Sequence, residues 1–153
     1  MNKAYGVLGS ALTGVLTGWL ALGLWQWADA EDKRTCADST SVCLTPYPLT
    51  GVLSWAVLAV IVFAIALPLL GVRPRKAVTT AAFGLQAYAI AIIGPLAPRD
   101  VPDTNAVNLI ALALGPALVA VCTVPAWRRA GLIAIGVLVA AAFITLGIVR
   151  DMF

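Results

Sequence analysis

Five stretches of at least 20 residues contain no Asp, Glu, Lys or Arg: residues 4–28, 50–72, 77–97, 106–126 and 130–149. No other feature limits the possible folds so strongly. An α-helix rising 1.5 Å per residue needs about 20 apolar residues to cross roughly 30 Å of hydrocarbon. Inside lipid every backbone N–H and C=O must be paired within the protein, which leaves only helices and closed barrels. Barrel strands would alternate in character over about ten residues, whereas these stretches are continuously apolar. The expected fold is therefore an all-α integral membrane protein, a single bundle of five transmembrane helices. Composition agrees. The chain is 61% hydrophobic and 11% charged, against about 25% charged residues in soluble domains, so it lacks the polar surface to cover a soluble globule.

The charges sort by side. Alternating the five spans places Lys3, Arg73, Arg75, Lys76, Arg128 and Arg129 on one face with no acid. The other face takes Lys33, Arg34, Arg99 and Arg150 together with all seven acids: Asp29, Glu31, Asp32, Asp38, Asp100, Asp103 and Asp151. Basic residues in short loops mark the cytoplasmic side, so the N-terminus is expected inside and the C-terminus outside. The first apolar stretch exceeds the 7–15 residues of a signal-peptide core and is expected to stay as a span. Ala, Leu, Val and Gly dominate and Arg outnumbers Lys. That bias points to a GC-rich bacterial genome and hence to the cytoplasmic membrane.

Trp25, Trp27, Tyr47 and Trp55 cluster near the outer boundary and Trp127 near the inner one. Such rings favour the headgroup level, with one end apolar and the other able to hydrogen-bond. The one long loop, residues 29–49, holds Cys36 and Cys43 with six residues between them. On an oxidising face these are expected to form a disulfide, worth roughly 2–3 kcal/mol by the chain-entropy estimate. The spacing is not the Cys-x-x-Cys of a redox pair. Cys122, in the fourth span, is expected to be a free thiol acting as a small hydrophobe.

Helices in lipid associate by close packing over small residues at four-residue spacing. Gly6, Ser10, Gly14, Gly18 and Ala21 form such a ridge on the first span, with Tyr5, Leu8, Leu12, Val15 and Trp19 opposite. The ridge is expected to meet another helix of the bundle, with self-association as the alternative.

Several chemistries are excluded by residue type. The chain has no His and no charge within its spans, which argues against a proton relay, a His-ligated haem and a His-type zinc site. It shows no phosphate-binding glycine loop and no Gly-x-Ser-x-Gly. No cofactor and no metal is expected, and the basic loops are explained by topology and anionic lipid rather than by nucleic acid. Two polar features lie at depth. Gln86 sits mid-way along the third span, and Pro116 in the fourth removes a backbone donor and frees the carbonyl of Leu112. Gln86, Leu112 and Pro116 are thus the candidate ligand-binding residues, since broken helices bind substrates in transporters. Gln86 can equally act as a cross-helix bond to that freed carbonyl. On the outer face, Asp29, Glu31 and Asp32, and Asp100 with Asp103, read as a solvated acidic surface; Asp103 or Thr104 is expected to cap the fourth helix.

Three functions fit these residues. The first is a non-catalytic accessory subunit or interaction partner in an inner-membrane complex, whose partners are membrane lipids and other membrane subunits or a second copy. The second is a small transporter or binding protein for an uncharged or lipid-like molecule. The third is a membrane-embedded enzyme acting on a lipid at the outer face through Asp100, Asp103 or the acidic loop with Asp29, Glu31 and Asp32.

Overall fold

A computed structural model of the chain describes residues 3–37, 43–96 and 102–152. Five helices follow one another among them: α1 (Lys3–Cys36), α2 (Tyr47–Leu69), α3 (Arg75–Leu96), α4 (Ala106–Cys122) and α5 (Arg128–Met152). α1, α2, α3 and α5 are long and apolar enough to cross a membrane, while α4 has 17 residues. At 1.5 Å per residue α4 covers about 26 Å, slightly less than the hydrocarbon core.

The ends depart from the hydropathy boundaries for local reasons. α1 continues eight residues past the expected end of its span, through the acidic segment. Two pairs of the helix's own spacing hold it there, Lys33 Nζ to Asp29 Oδ2 at 2.7 Å and Arg34 Nη1 to Glu31 Oε1 at 3.0 Å. Each supports helix modestly, and Lys33 and Arg34 complement the negative end of the helix dipole. α2 starts at a proline pair, Pro46 in the cap and Pro48 in the first turn, where a missing N–H costs no helical bond. It ends on Gly71 at φ 76°. There Val72 N donates to Leu67 O and Gly71 N to Pro68 O, each at 3.0 Å, a Schellman closure that favours glycine at the left-handed position. α4 is capped by Asn105, whose side chain accepts from Asn108 N at 2.8 Å. The cap is thus one residue past Thr104 and two past Asp103, because only the residue next to the first helical turn can reach the N3 amide. α4 stops at Cys122, short of residue 126. Pro125 has no N–H to donate and disfavours helix before it, and a tight turn follows, closed by Val124 N to Val121 O and Trp127 N to Val124 O, each 3.0 Å.

α1 packs against α2 and α4, and α3 against the same two, so four helices form a closed ring. α5 lies outside it along α4, touching α3 through Tyr88, whose hydroxyl donates to Val139 O at 3.2 Å. Packing on α1 is inverted relative to a soluble helix. Ser10, Thr13, Gly14, Thr17, Gly18 and Ala21 are buried, while Leu12 is 70% and Trp19 55% exposed. The buried hydroxyls donate within their own helix, Ser10 to Gly6 O, Thr13 to Gly9 O and Thr17 to Thr13 O, all within 2.9 Å, so burying them leaves no donor unpaired. A surface that is bulky and apolar over a small, weakly polar interior suits a lipid solvent. The chain is a multi-pass membrane protein.

Candidate ligand-binding pocket

Two places are candidate sites, a polar crossing at depth and a half-open recess. The first is the crossing of α1, α3 and α4. A Cβ on Gly14 would come within 2.9 Å of Ala113 Cα, and one on Gly18 within 2.8 Å of Leu112 Cβ. The bare glycines let α4 approach α1 at backbone distance. Gly6 would meet Leu70 O at 3.2 Å, at the end of α2. Ser10 is fully buried, and Ala21 belongs to the core with Trp55, Ala59 and Phe63.

Gln86, 0% exposed, reaches across the ring from α3. Its Nε2 donates to Gly14 O at 2.9 Å and, more weakly, to Leu112 O at 3.4 Å. Leu112 is one turn before Pro116, so Gln86 partly satisfies the carbonyl that proline strands. Facing two carbonyls fixes the amide orientation: reversed, oxygen would oppose oxygen. The other amide atom, Oε1, is buried without a hydrogen-bond partner. Leu112 and Pro116 are also fully buried. The three residues singled out from sequence therefore meet, in a packed crossing rather than around a cavity.

The second place is a half-open pocket of about 450 Å³ between α1, α2 and α3. From α1 come Ala21, Trp25, Ala28, Asp29 and Asp32; from α2, Pro48, Gly51, Val52 and Trp55. From α3 come Ala87, Ile90 and Ala91. Small residues create the space, and neighbours fix its walls. Gly51 allows α2 to touch α1, since a Cβ there would lie 3.2 Å from Ala28 Cβ. Trp55 is 7% exposed, donates Nε1 to Thr17 O at 3.1 Å and stacks on Phe83 at 5.3 Å. It is a pinned wall in the interior, not the headgroup anchor its place in the sequence suggests. Trp25 lies against Gly94, where a Cβ would fall 2.6 Å from Trp25 Cη2. Trp27 and Tyr47 meet edge to face at 6.0 Å, with Trp27 about half exposed.

The mouth is acidic. Asp29 is held by Lys33, and Asp32 Oδ1 accepts from the Thr45 hydroxyl. Thr45 is kept nearby by the disulfide Cys36–Cys43, with Cα atoms 5.8 Å apart. Cys122 is a free thiol. Asp103 is exposed at the turn before α4, its carbonyl accepting from Asn108 Nδ2 at 2.8 Å; Asp100 and Asp38 lie outside the described residues. Among the described residues no three His, Cys, Asp or Glu side chains are grouped to hold a metal ion.

Sequence reasoning missed the pocket-lining role of Asp29 and Asp32, which read as solvated surface, and gave no part to Gly51 or Ala91. It also missed Gln26, whose Nε2 ties α1 to Pro102 O at 3.0 Å. No residue spacing marks these, because the pocket arises from which small residues oppose each other across helices. The fold and pocket define a helical, multi-pass membrane protein with a mostly apolar recess between α1, α2 and α3. No family model, curated protein or solved structure matches the chain.

Proposed function

We propose that the chain is a non-catalytic binding protein for a lipid-like molecule, held in the recess between α1, α2 and α3. In this reading it crosses the bacterial cytoplasmic membrane five times, N-terminus inside, with the acidic mouth on the outer face. The pocket carries the proposal. Its volume of about 450 Å³ falls in the range of small-molecule sites, about 300–1,000 Å³, which are mostly apolar with a few placed polar groups. Its length suits a chain: from Asp32 to Ala21 along α1 spans about 16 Å.

Purification in a mild uncharged detergent, followed by native mass spectrometry, tests this. The wild-type protein is expected to carry an apolar small molecule that Ala91→Phe, projecting a ring into the recess, releases. Identical bound species in wild type and variant would remove the basis of the proposal.

The reading as an accessory subunit rests on α5, which leaves Leu132, Ile133, Val137, Phe143 and Ile144 exposed. Lipid covers such a face as well as a partner does, so this observation weighs less than a half-open recess of ligand size. Co-purification of a partner at fixed stoichiometry would raise it to first place.

A further inference from the structure

The recess is apolar along its length and charged only at its mouth, with one sign. Among the described residues, Asp29 and Asp32 are its only charged lining residues. Asp29 already has a cation, but Lys33 is on the surface, its side chain 70% exposed, and such pairs exchange easily. Asp32 has a neutral donor, the Thr45 hydroxyl, and among the described residues it forms no ion pair. Both carboxylates lie near the C-terminal end of α1, and the other carboxylate there, Glu31, is already paired with Arg34. Among the described residues, the mouth thus has more negative charge than its own side chains neutralise.

We infer that the bound amphiphile is cationic, with its apolar body against Ala21, Trp55 and Ile90 and a protonated amine at Asp32. The inference rests on the reading of the recess as an amphiphile site and specifies the head. At the edge of an apolar groove the effective dielectric is below that of water, so attraction to a cation and repulsion of an anion are both strengthened. A phosphate or carboxylate head would face two carboxylates. An uncharged head would gain one hydrogen bond and leave the charge of Asp32 as it was.

The test uses the full chain in an uncharged detergent and three brominated alkyl probes of one chain length, ending in ammonium, alcohol or carboxylate. Bromine quenches tryptophan, and the saturable quenching that Ala91→Phe abolishes reports the recess. The ammonium is expected to bind about fivefold tighter than the alcohol, as one partly screened ion pair gives, and the carboxylate weakest. Asp32→Asn, which keeps an acceptor for Thr45, is expected to erase the ammonium preference and leave alcohol affinity unchanged. If Asp32→Asn fails to fold, salt reads the same contact: ammonium affinity falls with ionic strength and alcohol affinity does not. Equal binding of ammonium and alcohol, or a preference that survives both Asp32→Asn and salt, overturns the cationic head while the recess keeps its amphiphile. Absence of saturable quenching by any probe overturns the recess itself.

Discussion

Gln86 and the glycines facing it show how different residues hold one crossing. The Gln86 amide donates to two carbonyls from one end, while its other end has no partner. A hydrogen bond between membrane helices is worth about 0.6 kcal/mol on average, and an unpaired buried carbonyl costs about 1–3 kcal/mol. Replacing the whole group with a hydrocarbon of similar size removes both, and costs in addition only the weak 3.4 Å bond to Leu112 O, the carbonyl stranded by Pro116. Gln86→Leu is accordingly expected to shift stability by no more than about 1 kcal/mol, read as the unfolding midpoint in detergent. Gln86→Glu puts a carboxyl against Gly14 O and Leu112 O in a fully buried position, where it must take up a proton to remain a donor, and is expected to destabilise more than Gln86→Leu and increasingly as pH rises. The glycines act by absence. Gly14→Leu drives a side chain into the Ala113 backbone at 2.9 Å, which helix packing relieves only by separating α1 from α4. Gly23→Leu, on the same helix with nothing within 4 Å, is the control. The first is expected to lose most of the folded protein by size-exclusion chromatography and the second to behave as wild type. Equal behaviour of the two would mean that close approach at Gly14 is not what holds α1 to α4.

Among the elements, α1 does the most and was only partly legible in the sequence. Its span was readable because hydropathy measures what lipid demands. Its last two turns were not, because Asp29, Glu31 and Asp32 mark the exit from lipid, and leaving lipid is not the end of a helix. The pairs Lys33–Asp29 and Arg34–Glu31 carry the helix to Cys36. The Gly14–Gly18 ridge was legible, since small residues at spacing four leave a visible pattern. Ala21 and Ala28 look the same in sequence, yet they line a recess, whose other walls are Pro48, Gly51, Val52 and Trp55 of α2 and Ala87, Ile90 and Ala91 of α3. Trp55 could not be told from Trp27 by position; only the α1 carbonyl facing it separates a buried wall from an anchor. The end of α1 predicts its own test. The disulfide Cys36–Cys43 closes a short loop and holds Thr45 near Asp32. Cys36→Ser with Cys43→Ser is expected to lower stability by roughly 2–3 kcal/mol, measured by thermal unfolding in detergent, with the amine preference of the recess reduced alongside. Loss of stability with an unchanged preference would detach the loop from the mouth.

For the whole molecule the open matter is how many times it crosses, and α4 decides it. Its 17 residues reach about 26 Å, against roughly 30 Å of hydrocarbon. Bilayers thin around a short helix at a cost of fractions of a kcal/mol per Å, so the deficit is small beside the alternative. That alternative would take α4 out of lipid, although Leu112, Ala113, Gly115, Pro116, Val119 and Ala120 are buried in the ring and α4 meets α1 at the level of Gly14 and Gly18. It would also place Arg128 and Arg129 opposite Arg73, Arg75 and Lys76, dividing the basic loops between two sides. Five crossings keep them together with Lys3 on the cytoplasmic face. Alkaline phosphatase fused at two points separates the cases, since it is active only outside. After Lys76 it is expected to be silent, and after Phe153 active. Silence at both points means four crossings with α4 lying between them. Activity after Lys76 inverts the molecule and turns the acidic mouth to the cytoplasm, where the recess would draw its ligand from the inner leaflet.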